Sequence, residues 1–230
     1  MSHPLCGVIY TLDIPDAQAS HVLVITEDLW NQQMGDSAVV PLYELPDAEP
    51  SVFRVGVGTK LKAECTRVQS MAHEFISDPV GRCPEEAWLR VRIGVRKFLD
   101  IDRRIAMTPA PAPLNPSPSW WPRQNDIHFA TNSAVAADDK LYAVISDNDW
   151  NSMPGVPNVA AVRLTSKTKN QRLHWEVPVA GGSFVVTGDI YSVAMSTFEQ
   201  KPPKKKYPSQ ISDDESAVVA VKQKASLTLS

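Results

Sequence analysis

Val24-Ile25-Thr26-Glu27-Asp28-Leu29-Trp30-Asn31 returns in the second half of the chain as Val144-Ile145-Ser146-Asp147-Asn148-Asp149-Trp150-Asn151. Gly35 and Gly155 follow at the same spacing. Upstream, Ile9-Tyr10 has a counterpart in His128-Phe129. Downstream, Val40-Pro41-Leu42-Tyr43 pairs with Val162-Arg163-Leu164-Thr165 once the second hairpin is allowed two more residues. Cys65-Thr66-Arg67-Val68-Gln69-Ser70-Met71 matches Asp189 to Met195 more loosely. One Val-Ile pair would be chance. An ordered series of matches reads as a tandem duplication.

Between the halves lies MTPAPAPLNPSPSWWPRQN, residues 107–125, with prolines at 109, 111, 113, 116, 118 and 122. Proline fixes φ and donates no N–H, so this run is neither a helix interior nor a central strand. It reads as an extended connector, with Trp120 and Trp121 apolar enough to dock on a flanking domain. The expected organisation is a first domain over 1–106, a linker over 107–125 and a second domain over 126–230.

Short runs rich in β-branched residues predict strands at Gly7–Leu12, His21–Thr26, Ala38–Leu42, Phe53–Val57 and Lys60–Val68. Val159–Leu164, Leu173–Val179 and Phe184–Val193 are the second-half equivalents. Asp28–Gln33 reads as a short helical turn. Pro84 opens a helix with Glu85 and Glu86 near its N-terminus. Trp88, Val91, Val95, Phe98 and Leu99 then form an apolar stripe. Ser212 and Glu215 form a capping box for a last helix, whose stripe is Val218, Val221 and Ala225. Many short strands with a closing helix predict a mainly β fold of two small curved barrels.

The chain has 230 residues, 23 basic and 26 acidic, for a net charge of −3. Bulk charge therefore does not drive nucleic-acid binding, and any such contact must be local. Three cysteines without a C-x-x-C pair argue against a disulfide framework or a structural zinc site. The five histidines show no metal-ligand spacing. The expectation is a protein without metal or cofactor. No apolar run approaches the ~18 residues that span a bilayer, and Met1–Cys6 lacks a signal-peptide pattern. The chain reads as a cytoplasmic protein.

The layout resembles the MazF/PemK (Kid) family of toxin–antitoxin toxins. The residues that carry this are Gly7-Val8-Ile9-Tyr10, His21-Val22-Leu23-Val24-Ile25, Asp28-Leu29-Trp30-Asn31 with Gly35 and Val39-Val40-Pro41-Leu42, Cys65 to Ser70, and the helix from Pro84 to Leu99. The resemblance covers residues 7–101; the second copy, 126–229, matches mostly through its likeness to the first. It implies two tandem SH3-like barrels, each closed by a C-terminal helix. It further implies metal-independent cleavage of single-stranded RNA, an antitoxin partner, and pairing of two barrels, here as a pseudo-dimer within one chain. CcdB, a gyrase poison, shares the fold, so the barrel alone does not fix the target.

In that family an Arg before the second strand and a Thr after the third carry most of the chemistry: a cation for the developing phosphorane charge and a hydroxyl beside it. In the first copy these positions are Ser20 and Tyr43, which makes that site degenerate. In the second they are Lys140 and Thr165, with Arg163 two residues away on the same strand face. A lysine is a point charge without arginine's bidentate fork, yet it can stabilise an oxyanion. Lys140, Thr165 and Arg163 are the candidate catalytic residues; each also has an ordinary reading as a strand residue. Lys201, Lys204, Lys205 and Lys206 form a compact basic run before the last helix, either an RNA-phosphate contact or a solvated loop. Two classes of function remain open: an RNA-cleaving toxin with activity in the second copy, or a non-catalytic duplicated barrel that binds RNA or a protein. A gyrase-directed or other protein-directed poison is a third.

Overall fold

The computed structural model describes residues 3–15, 17–44, 51–109, 113, 120–130, 140–166, 176–198 and 209–229. The basic run Lys201–Lys206 lies outside them, as do residues 110–112 and 114–119 of the proline-rich segment. The chain divides into two compact units: Met1–Phe98 with Lys224–Ser230, and Leu99–Gln223.

The first unit is built on one antiparallel sheet. Its strands are β1 (Val8–Leu12), β2 (His21–Val24), β3 (Asp36–Glu44), β4 (Arg54–Val57), β5 (Leu61–Glu64), β6 (Gln69–Ala72) and β7 (Ile76–Arg82). The order is β4-β5-β3-β2-β1-β7, with β6 also paired to β3. Helix α1 (Asp28–Gln33) follows β2, and α2 (Glu85–Phe98) follows β7. Val8, Tyr10, Val22, Val24, Val39, Met71 and Ile76 form one apolar cluster on a single sheet face. The expected strand over Lys60–Val68 breaks at Cys65, where Cys65–Arg67 makes a 3-10 turn. That turn packs on α2: Cys65 Sγ lies 3.7 Å from the Val91 carbonyl. A Cβ on Gly94 would sit 2.6 Å from the Val52 carbonyl and 2.8 Å from Cys65 Sγ, so only glycine admits this approach. The buried face of α2 is Ala87, Val91, Gly94, Val95 and Phe98. Trp88, placed in the stripe by its spacing, is instead half-buried, with Arg92 over its ring at 5.9 Å.

The second unit contains the short helix α3 (Ile101–Ile105) and a second antiparallel sheet. Its strands β8 (Ile127–Ala130), β9 (Lys140–Val144), β10 (Asn158–Thr165), β11 (Glu176–Val179) and β12 (Ser183–Ala194) run in the order β11-β12-β10-β9-β8. Helix α4 (Asn148–Ser152) corresponds to α1, and α5 (Asp213–Ser226) ends the chain. Ala130, Tyr142, Val144, Val159, Ala161, Tyr191, Val193 and Phe198 form the apolar cluster here, with Trp120 packed against it. The strand expected from Leu173 is described only from Glu176.

Strand register aligns the halves residue by residue. Leu23 pairs Val40 and Val24 pairs Val39, while Ala143 pairs Val162 and Val144 pairs Ala161. Val39 then pairs Gln69, and Ala161 pairs Tyr191. The shift between copies stays constant from Asp36/Asn158 to Ile76/Phe198. Val156 and Pro157 are the two extra hairpin residues. Two sequence matches slip against this register. Ile9 pairs Leu23 and Ile127 pairs Ala143, so Ile9-Tyr10 corresponds to Ile127-His128, one residue earlier than expected. Arg67 corresponds to Asp189, two residues off the expected match.

The repeated V-I-[TS] to W-N motif is structural. Asn31 is 1% exposed; Thr26 and Ser37 donate to its Oδ1 at 2.5 and 2.7 Å, and its Nδ2 donates to the Thr26 carbonyl at 3.2 Å. In the second copy Ser146 donates to Asn151 Oδ1 at 2.6 Å, and Asn151 Nδ2 returns a bond to the Ser146 carbonyl at 3.1 Å. Trp30 and Trp150 donate from Nε1 to the equivalent carbonyls of Asp36 and Asn158, both at 3.1 Å. Trp30 is fully buried and Trp150 only half-buried.

Ser37 also lies 2.9 Å from His73 Nε2. Burial holds the His73 pKa below its ordinary value, against the opposing pull of Asp36. The folded state therefore keeps this imidazole neutral at a pH where the unfolded chain, titrating near 6.5, takes up a proton. Stability contributed here is complete above about pH 6.5 and is lost as pH falls from there through the folded pKa. The first unit's melting temperature should drop over that window. In His73→Gln that part of the pH slope should vanish.

The capping box of α5 is present: Ser212 N donates to Glu215 Oε2 at 2.7 Å, and Glu215 N to Ser212 Oγ at 3.3 Å. Its expected stripe is corrected. Val218 and Val221 are 47% and 52% exposed, and Ala225 is exposed. The buried residues are Ser216, Val219, Ala220, Gln223 and Ser226. The cause is Arg104 of α3, itself 5% exposed. Its guanidinium donates to Ser216 Oγ at 2.9 Å, to Gln223 Oε1 at 2.9 Å and to the Leu99 carbonyl at 3.4 Å. A buried cation must be hydrogen-bonded, so the helix turns its polar residues inward to meet it. Among the described residues no helix is long and apolar enough to cross a membrane.

Candidate functional site

Lys140 opens β9 and Thr165 closes β10. Arg163 pairs with Tyr142 in the antiparallel register. Continuing that register by two residues sets Lys140 opposite Thr165. Paired residues point to the same face, with Cβ atoms about 4.5–5.5 Å apart. Lys140, Tyr142, Arg163 and Thr165 therefore share one face, at the edge of the cluster that holds Tyr142 and Tyr191. Lys140, Arg163 and Thr165 are half-buried.

Three further groups complete this surface, none of them singled out by the sequence reading. Tyr191 donates from Oη to Asp189 Oδ2 at 2.8 Å. The Tyr142 and Tyr191 rings meet edge to face, 5.5 Å apart. Burial, reinforced by the Asp189 charge, raises the Tyr191 pKa; Arg163 pulls it back. Burial likewise raises Tyr142. Both phenols stay protonated at neutral pH. Tyr142 Oη is buried and has no hydrogen-bond partner among the described residues. Arg163 acts on both tyrosines against Asp189, so its charge is partly offset locally. Lys140 lies at the first residue of β9.

The first copy places Ser20 and Tyr43 in the same relation. Leu12 N donates to the Ser20 carbonyl at 3.1 Å, and His21 pairs with Leu42, which sets Ser20 opposite Tyr43. Ser20 Oγ is 2.7 Å from His21 Nδ1. On its other side Tyr43 pairs with Lys62 of β5. Arg67, from the 3-10 turn, donates to Tyr43 Oη at 3.0 Å, with its guanidinium carbon 5.4 Å from the ring centroid. Arg67 also donates to Gln18 Oε1 at 3.4 Å. A cation thus stands beside the first-copy hydroxyl, supplied by a different element from the one the motif names. The second-copy equivalents of Lys62 and Arg67 are Phe184, which pairs with Thr165, and Asp189.

Among the described residues no group of His, Cys, Asp or Glu side chains is arranged to hold a metal ion. Burial pushes the Cys65 thiol up to about 12 and Cys83 to about 11, so neither is a thiolate nucleophile at neutral pH.

No protein-family model matches the chain. No curated protein matches it either. Solved structures similar to it include an endoribonuclease from a mycobacterial species, at 17% identity and TM-score 0.36, over 42% of this chain and 90% of the other. A MazE–MazF structure from Deinococcus radiodurans is similar at 16% identity and TM-score 0.35, over 41% and 93%. The Mycobacterium tuberculosis toxin MazF-mt6 is similar at 12% identity and TM-score 0.32, over 39% and 92%.

Proposed function

We propose that the chain is a toxin-type endoribonuclease acting on single-stranded RNA, with its chemistry in the second copy. The observation that carries this reading is the antiparallel pairing of β9 with β10 through Tyr142 and Arg163, which puts Lys140, Arg163 and Thr165 on one face of the sheet. In the reaction the ribose 2′-oxygen bonds to the adjacent phosphorus and the bond from phosphorus to the 5′-oxygen breaks. A 2′,3′-cyclic phosphate and a 5′-hydroxyl result. The proton that leaves the 2′-hydroxyl passes to water, and water returns a proton to the departing 5′-oxygen. Lys140 is assigned to the charge that grows on the non-bridging phosphate oxygens. Thr165 hydrogen-bonds the same phosphate, and Arg163, its charge moderated by Asp189, orients it.

In this reading residues 1–106 and 126–230 are two SH3-like barrels, joined by 107–125, that work as a pair within one chain. The protein acts in the cytoplasm and is held inactive by an antitoxin. Lys201, Lys204, Lys205 and Lys206 would contact RNA phosphates.

One observation favours a second reading, a duplicated barrel that binds RNA or a protein without cleaving. Neither copy has an arginine at the entry to its second strand; Ser20, just before β2, and Lys140, the first residue of β9, stand there. Expression in a bacterial host separates the two. The nuclease reading predicts growth arrest with loss of long mRNA on induction. Undisturbed growth with intact mRNA would support the binding module.

A further inference from the structure

We infer that the first copy is not an empty relic of the second but a phosphodiester-binding site for RNA, made by Arg67, Lys62 and Tyr43. The inference rests on the RNA-directed reading above. Tyr43 pairs with Lys62 and Thr165 with Phe184; extending the neighbouring registers past His21–Leu42 and Tyr142–Arg163 adds Ser20 to the first row and Lys140 to the second. Each row has a central hydroxyl flanked by one lysine, but the lysine has changed sides. The acidic position of the second copy, Asp189, is replaced in the first by Arg67. The charge at the Ser20 position is thus lost and regained elsewhere on the same face.

The geometry suits an anion. Among the described residues no carboxylate lies within ion-pair distance of Arg67, whose partners are the neutral Tyr43 and Gln18. Stacking at 5.4 Å and the bond to Tyr43 Oη fix the guanidinium in place and leave it N–H groups for a phosphate oxygen. A fixed planar fork meets a phosphate at little further cost in side-chain entropy. Glu64, the nearest acid in sequence, is engaged by Arg54 at 3.0 Å and Thr66 at 2.9 Å. Ser20 brings no cation to the position that Lys140 fills in the second copy, so this site is assigned to holding RNA rather than cutting it.

The test uses the full chain and a labelled single-stranded RNA carrying 2′-O-methyl groups throughout, which cannot be cleaved. Binding is measured against salt. Each single-strand phosphate contact contributes about 0.7 to the slope of log affinity against log salt. Arg67→Gln with Lys62→Gln should flatten the slope by about 1.4 with the melting temperature kept. Arg67→Lys alone, which retains the charge, should leave the slope near that of the unmodified chain. Steep wild-type salt dependence that survives the double change overturns this site and leaves the RNA reading intact. No binding by the wild type would overturn both.

Discussion

Lys140→Ala should lower the rate of RNA cleavage by about 10²–10³, the usual loss when one donor to a developing oxyanion is removed. The substitution lies at the first residue of β9, on a half-buried side chain, so the fold should hold and substrate affinity should change much less than the rate. Lys140→Arg should keep or raise activity, because the guanidinium adds a second N–H toward the phosphate. Ser20→Ala, at the corresponding position of the first copy, should leave the rate within a few-fold. These three single-turnover rates, measured with RNA saturating, place the chemistry in one copy. Equal losses in Lys140→Ala and Ser20→Ala would contradict that placement.

Trp30→Ala should destabilise the first unit by about 3–5 kcal/mol, the range for removing a large buried aromatic. Trp30 is fully buried and donates to the Asp36 carbonyl, so the change opens a cavity and removes that bond. Trp150→Ala should cost clearly less, since the second-copy indole is half-exposed while making the equivalent bond. Urea unfolding followed separately for each unit reads the difference. A larger loss at Trp150 would mean that burial does not rank the two sites.

The repeat was legible because its determinants are local. Asn31 bonds Thr26 five positions upstream and Trp30 reaches Asp36, so the motif writes a closed loop into a short stretch of chain. Lys140, Arg163 and Thr165 fall on one face because β9 and β10 are neighbouring antiparallel strands paired through Tyr142 and Arg163. What was missed depends on distant partners or on the absence of a pattern. β7 is exposed along almost its whole length after Ile76 and contains Pro79, as an edge strand can, so it shows no hydrophobic alternation. β1 buries three consecutive residues, Val8, Ile9 and Tyr10, which left its match to β8 free to slip by one. The inward face of α5 is polar because Arg104, far away in sequence, must be satisfied there. Arg67 was hidden because the run that contains it looked like a strand, whereas the contact of Cys65 with α2 turns it into a 3-10 bend aimed at Tyr43.

Purified chain incubated with a long single-stranded RNA in excess chelator, with the product ends identified, bears most directly on the central claim. Discrete cuts without metal are expected, each leaving a 2′,3′-cyclic phosphate and a 5′-hydroxyl, and slowed by about 10²–10³ in Lys140→Ala. RNA that stays intact with the wild-type chain, or cuts that persist undiminished in Lys140→Ala, would contradict it.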